Sequence, residues 1–158
     1  KSHVILNGVD SNIFKPAPKV EKKNRIFLIV QYNRDENKRM PEAFDMFTEE
    51  WLKHQHDILW IVGRFSPELV GSGFDFWRNE KFEYKGIMET PVQMANVMQQ
   101  SDILLYPSYS DACPNTVCEA KACGMEVWHR GHAGVGEAAT ITDPSLERMG
   151  NEYLKLFI

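Results

Sequence analysis

The sequence is short of cysteine, and its few cysteines lie close together. Its 158 residues contain three, Cys113, Cys118 and Cys123, all within one stretch of eleven residues. An odd number of cysteines crowded into so short a segment argues against a framework of disulfides. Because structural disulfides belong to oxidising compartments, this pattern favours a reducing one.

Long apolar runs and an excess of positive charge are also lacking. No apolar run approaches the ~20 residues that a membrane-spanning helix needs, and the N-terminal KSHVILNG does not have the layout of a signal peptide. The formal net charge is -4, whereas a nucleic-acid-binding surface is expected to carry a clustered basic excess. We therefore expect a cytoplasmic chain with no transmembrane segment and no nucleic-acid partner.

The composition is that of an ordinary globular protein. Hydrophobic residues make up 43% and charged residues 25% of the chain, proportions typical of folded domains. The length suits one domain, or one half of a two-domain protein, with room for a hydrophobic core.

Apolar runs and helical repeats alternate along the chain. Strands are predicted at Arg25–Tyr32, Asp57–Gly63, Lys81–Ile87, Asp102–Tyr106, Glu126–His129 and, as a sixth strand, Thr140–Asp143. Helices are predicted at Met40–His54, Thr90–Gln100, Pro114–Cys123 and Pro144–Ile158. The range 71–80 fits either a short helix or a lid-like loop. Five or six strands alternating with helices predict an α/β fold, a doubly wound, mostly parallel, Rossmann-like sheet.

The stretch Pro107–Gly124 combines several signals of a ligand site. It follows an apolar strand, contains a polar loop with Asp111, and continues into a helix that carries Glu119. The N-terminus of a helix beyond the carboxyl end of a parallel strand suits an anion. Seven residues separate the two acids, so one is expected on the loop and the other in the helix, where both could face one pocket. Taken alone, the stretch also fits an ordinary strand–loop–helix with solvated acids.

From Asp111 to Gly124 the sequence resembles the signature of the group-one glycosyltransferases, relatives of glycogen synthase. That signature is an acid, seven residues, and then Glu-Ala-x-Ala-Cys-Gly; here Asp111-Ala112 stands where the family usually has Glu-Gly. The resemblance extends over nearly the whole chain. It includes Asn-Gly-Val-Asp at 7–10, a basic loop after the first strand, Val-Gly at 62–63, Lys-Gly at 85–86 and Ser-Asp-Ile-Leu-Leu-Tyr-Pro-Ser at 101–108.

The resemblance implies the C-terminal, donor-binding domain of a retaining glycosyltransferase with the two-domain GT-B architecture. Residues 1–23 then correspond to the linker from the acceptor domain, and 24–158 to the nucleotide-sugar-binding domain. The missing N-terminal acceptor-binding domain is the implied partner, and peripheral membrane contact would be made through that half. As an isolated fragment, the chain is expected to be inactive.

The reaction needs positive charge at the leaving diphosphate. Cations around that group stabilise the transition state more than the ground state. Arg34 and Lys38, on the loop after the first strand, resemble the family's basic pair, and Asp111 resembles the acid that faces the sugar. These three residues are the candidates for catalysis. The resemblance implies no enzyme nucleophile, no required metal and no cofactor beyond the nucleoside-diphosphate sugar, which is the donor substrate.

Donor binding has five further candidates. Glu119 matches the family position that holds the ribose, and a carboxylate can accept hydrogen bonds from both ribose hydroxyls. Asn115 and Thr116, at the predicted helix start, would offer backbone N–H groups to a phosphate. Gly134 and Glu137 lie in a glycine-bearing turn, predicted at 131–136 and leading to the glutamate, that resembles a loop near the donor.

Three alternatives belong to other classes. The first is a nucleotide-sugar-binding module of the same fold without catalysis, and the second is a sugar-nucleotide epimerase on the same two-domain plan, for which the sequence offers no clear constellation. The third is a response-regulator-like signalling domain. Such a domain needs an acidic pocket at the end of the first strand, where this chain has Gln31, Tyr32, Asn33 and Arg34.

Overall fold

The centre of the molecule is a parallel sheet of five strands. The structure, a computed structural model, describes residues 5–18, 21–31, 36–64, 80–111, 114–130 and 135–157. The strands are β1 (Ile26–Gln31), β2 (Ile58–Gly63), β3 (Phe82–Gly86), β4 (Ile103–Leu105) and β5 (Glu126–Trp128). Their order is β3-β2-β1-β4-β5, and every pairing is parallel. The doubly wound α/β fold predicted from the sequence is confirmed.

Helices cover both faces of the sheet. They are α1 (Met40–Trp51), α2 (Pro91–Gln100), α3 (Asn115–Ala122), α4 (Val135–Thr140) and α5 (Leu146–Leu154), with a 3-10 helix at Glu36–Lys38. In the part of the chain that the structure describes, none of these helices is both long and apolar enough to cross a membrane.

The side chains of β1 point alternately to the two faces of the sheet and contribute to a hydrophobic core on each face. Phe27 and Ile29 pack on one side, where the rings of Phe27 and Phe47 of α1 meet edge to face at 5.3 Å. Leu28 points to the other side and joins the cluster that contains Val117 of α3. Burying each such side chain contributes about 1.5–3 kcal/mol before entropy is counted. The apolar run is nearly continuous because a parallel strand is covered on both faces.

Local sequence accounts for the ends of the helices. Thr90 caps α2: its side chain accepts from the Gln93 N–H while the Gln93 side chain accepts from the Thr90 N–H, a complete capping box. Pro114 precedes α3, and Gly124 follows it with φ 82, a left-handed conformation that glycine adopts without strain. The predicted boundaries of this helix, a proline at its start and a glycine after its end, are confirmed.

The N-terminal segment packs onto the domain. Val9 and Phe14 are buried in the core, and Val9 pairs with Ser145 just before α5. Arg148 of α5 donates to the carbonyls of Leu6 and Asn7, each at 2.8 Å. These contacts fix the segment against α5.

Two predictions near the C-terminal end of the chain are wrong, one of them over the two of its residues that the structure describes. Thr140–Asp143 is not a strand, because α4 continues through Thr140 and the chain then turns into the Ser145 cap of α5. The turn predicted at 131–136 gives way to α4 at its last two residues, since Val135 and Ala138 are buried against the core. Residues 71–79, for which helix and loop were both open, lie outside the described residues.

Candidate functional site

The candidate site lies at the carboxyl ends of β1 and β4. These neighbouring strands mark the point where the strand order reverses, because β2 and β3 lie on one side of β1 and β4 and β5 on the other. Ligands of open α/β sheets bind in the crevice outside such a switch point. The 3-10 helix carrying Lys38 follows β1, and Tyr106 to Asp111 follow β4.

Three side chains from these two loops form a closed triangle of hydrogen bonds. The Lys38 ammonium donates to the Tyr106 hydroxyl at 2.6 Å and to Asp111 Oδ2 at 2.8 Å. The Tyr106 hydroxyl donates to the same carboxylate oxygen at 2.9 Å. The structure therefore brings together Lys38 and Asp111, two of the three residues predicted for catalysis.

The electrostatics of the triangle keep its members in defined protonation states. Burial works against the Lys38 ammonium, but its hydrogen bonds to Asp111 and Tyr106 outweigh that effect and raise its pKa above the ordinary 10.5. Burial raises the pKa of Tyr106 to about 12, although the nearby Lys38 opposes the shift. At neutral pH the lysine is charged and the phenol is protonated.

Both hydrogen bonds to Asp111 end on Oδ2. Within the described residues, no hydrogen bond reaches its other oxygen, Oδ1. The side chain of Asp111 is 23% exposed, and a carboxylate oxygen without such a bond keeps its acceptor capacity for a ligand hydroxyl.

Glu119 lies in the middle of α3 and is half-buried. Burial raises the pKa of its carboxyl above the ordinary 4.5. Among the residues that the structure describes, no hydrogen bond or ion pair reaches this carboxylate. A partly desolvated acid with its acceptors unused is suited to a ligand that donates hydrogen bonds.

The first turn of α3 provides backbone donors. The first bonds within the helix run from the N–H groups of Val117 and Cys118 to the Pro114 carbonyl. The N–H groups of Asn115 and Thr116 precede them and have no partner within the helix. The Asn115 side chain accepts from Asn7 Nδ2 at 2.8 Å, which ties the N-terminal segment to this helix start.

Three predicted residues remain: Arg34, Gly134 and Glu137. Arg34 and Gly134 lie outside the described residues. Glu137 is an exposed residue of α4, the helix that packs against α3. Its place in a helix replaces the turn expected there.

Tyr106 and a second charged group were missed by the sequence analysis. Glu42 of α1 pairs with Arg39 at 2.7 Å and with Arg130 at 3.0 Å, and the Arg39 guanidinium lies 6.0 Å from the centre of the Tyr109 ring.

The sequence did contain one signal for Tyr106: this residue ends an apolar run, and a buried tyrosine needs a partner for its hydroxyl. The identity of that partner depends on the fold.

No protein-family model matches the chain, and no curated protein matches it. Solved structures do share its fold. The C-terminal domain of LpcC, a glycosyl transferase group 1 family protein from Francisella tularensis, matches with a TM-score of 0.67 at 16% identity, over 95% of this chain and 88% of that one. A glycosyltransferase from Rickettsia africae matches with a TM-score of 0.62 at 18% identity, over 98% of this chain and 46% of its own.

A third solved structure is WaaG, a glycosyltransferase involved in lipopolysaccharide biosynthesis. It matches with a TM-score of 0.57 at 17% identity, over 85% of this chain and 38% of its own. This chain thus spans less than half the length of two of the three structures. The likeness confirms the predicted fold: the chain has the fold of the C-terminal domain of LpcC, a glycosyl transferase group 1 family protein.

Proposed function

We propose that the chain is the donor-binding domain of a retaining glycosyltransferase, which moves a sugar from a nucleoside-diphosphate sugar to an acceptor. The observation that carries the proposal is the Lys38–Asp111 pair, bonded at 2.8 Å at the switch point of a sheet with this fold. The pair places a fixed cation beside an acid that can face a sugar.

The diphosphate would lie between Lys38 and the start of α3. An ammonium has three N–H donors, and Tyr106 and Asp111 take two of them, which leaves one for a phosphate oxygen. The free N–H groups of Asn115 and Thr116 would add backbone donors and the positive end of a helix dipole. Arg34, four residues before Lys38 in the sequence, is proposed as the second cation. Negative charge grows on the diphosphate as the glycosidic bond breaks, so these groups favour the transition state.

The ribose and the sugar would each meet one acid. Glu119 would accept from the two ribose hydroxyls, and the energy of two charged hydrogen bonds would repay the cost of its partial burial. Asp111 would use Oδ1 to orient the sugar, because Oδ2 is held by Lys38 and Tyr106. In this assignment Asp111 serves the leaving group through Lys38 and the sugar directly.

Transfer also requires an acceptor, which we propose is bound by a second domain. Correct positioning of two reactants supplies about 7–11 kcal/mol of a barrier. The four donor contacts at Arg34, Lys38, Asp111 and Glu119 orient only one of the two reactants. The chain alone would therefore bind a donor without transferring its sugar.

Calorimetry on the 158-residue chain tests the proposal. UDP, GDP and ADP are titrated beside their nucleosides, and Lys38→Ala should weaken binding of the preferred diphosphate by about 1.5–3 kcal/mol, one charged hydrogen bond, while leaving the nucleoside unaffected. Lys53→Ala is the matched control, because Lys53 is an exposed lysine on the loop before β2, at the amino-terminal ends of the strands and therefore at the end of the sheet opposite to the site. Equal losses for diphosphate and nucleoside would remove Lys38 from the diphosphate site.

A further inference from the structure

Tyr106 is the most buried member of the triangle. It is only 5% exposed and directly follows β4, so its backbone is anchored: the Tyr106 N–H donates to the Trp128 carbonyl of β5 at 2.9 Å. Lys38, in contrast, is the last residue of the 3-10 helix after β1. Its ammonium ends a four-carbon side chain that is 30% exposed. The more buried, backbone-anchored residue is therefore the tyrosine, and the longer and more exposed side chain is the lysine that we place at the diphosphate.

The direction of each hydrogen bond follows from the chemistry of the groups. An ammonium only donates and a carboxylate only accepts. The Tyr106 hydroxyl, which has one hydrogen, must therefore accept from Lys38 and donate to Asp111. Because burial raises the pKa of this phenol to about 12, the hydrogen stays in place throughout the neutral range.

The tyrosine ring adds a second constraint. The Lys38 ammonium lies 5.0 Å from the centre of the Tyr106 ring, within reach of a cation–π interaction. Ring, hydroxyl and carboxylate together restrict where the ammonium can lie. A flexible lysine that is held in advance loses less conformational entropy when a phosphate arrives.

We propose that Tyr106 is a positioning residue of the donor site, whose hydroxyl holds the Lys38 ammonium with one N–H left for the diphosphate. The inference rests on the proposed function, because it needs Lys38 to bind the diphosphate. Tyr106 itself would touch neither the donor nor the acceptor. It would act only through Lys38.

A double-mutant cycle on the 158-residue chain tests this role. Tyr106→Phe keeps the ring and removes the hydroxyl, and it should weaken binding of UDP, GDP or ADP, whichever the chain prefers, by about 3- to 10-fold. In the Lys38→Ala background the same change should alter the affinity less than about 2-fold, because the residue through which it acts is gone. Binding of the matching nucleoside should not change. Tyr153→Phe is the control for the loss of a tyrosine hydroxyl, because Tyr153 is an exposed residue of α5.

The outcomes separate the two proposals. If Lys38→Ala weakens diphosphate binding but Tyr106→Phe does not, Tyr106 has no positioning role and the Lys38 assignment stands. The same conclusion follows if Tyr106→Phe has an equal effect in the wild-type and Lys38→Ala backgrounds. A loss shared by diphosphate and nucleoside would likewise show a merely structural effect. If Lys38→Ala has no effect, or none of the three diphosphates binds, the proposed function fails and this inference fails with it.

Discussion

Glu119 is a half-buried carboxyl in the middle of α3, and burial disfavours its charged form. Because its pKa in the folded chain is raised above the ordinary 4.5, its contribution to stability is full below that value and is lost as the pH rises through the raised pKa. At pH 7 the ionised side chain therefore costs stability. Such a cost is common where a residue serves a ligand.

Glu119→Gln should raise the melting temperature of the unliganded chain at pH 7. The amide has nearly the same size and does not ionise, so the gain should shrink as the pH is lowered towards 4, where the glutamate becomes neutral. Thermal unfolding followed by circular dichroism between pH 4 and pH 8 measures this, with Glu49→Gln, an exposed change on α1, as the control. A lower melting temperature at pH 7 would mean that the carboxylate has a stabilising partner.

At the scale of elements, the N-terminal segment and α5 meet through a close backbone approach at Gly8. A Cβ atom added to Gly8 would lie 2.4 Å from the Ser145 carbonyl oxygen and 2.8 Å from Leu146 Cα. Neither is the end of a flexible side chain, so the segment or the start of α5 would have to move. The bond between the Gly8 N–H and the Met149 sulfur, at 3.3 Å, depends on the same approach.

Gly8→Ala should lower the free energy of unfolding by about 1–3 kcal/mol, the range for overpacked positions. Gly150→Ala is a matched control of opposite sign: Gly150 lies inside α5 with nothing within 4 Å of the added Cβ, so alanine should stabilise the chain by about 0.5–1 kcal/mol through helix propensity. Urea unfolding measures both. Equal effects of the two substitutions would show that the segment does not pack closely on α5.

At the scale of the whole molecule, the central strands were predictable because they are covered on both faces. Buried parallel strands read as continuous apolar runs, and Asp57–Gly63 was predicted within one residue of β2, Ile58–Gly63. Thr140–Asp143 failed because four residues give too short a pattern to separate a strand from the end of a helix. The helical structure at Thr140 depends on the packing of α4 in the core, which a four-residue pattern does not contain.

The site was predictable in part for a related reason. Asp111 and Glu119 lie in one stretch, so their spacing in the sequence carries information about the site. The triangle was not predictable, because Lys38 and Tyr106 are 68 positions apart and meet only where β1 and β4 pair. Spacing in the sequence therefore identifies candidate residues within one stretch, whereas contacts between two distant stretches are known only from the fold.

The proposed donor site would hold a nucleoside-diphosphate sugar through Glu119 and Lys38. Calorimetric titration of the 158-residue chain with UDP-, GDP- and ADP-sugars measures this binding, with Glu119→Ala as the variant. We expect one of these donors to bind, and the variant to bind it more weakly by about 2–4 kcal/mol, two charged hydrogen bonds to the ribose, while remaining folded. Unchanged affinity in the folded Glu119→Ala chain would show that Glu119 does not hold the ribose, and failure of all three donors to bind would show that this domain has no such donor site.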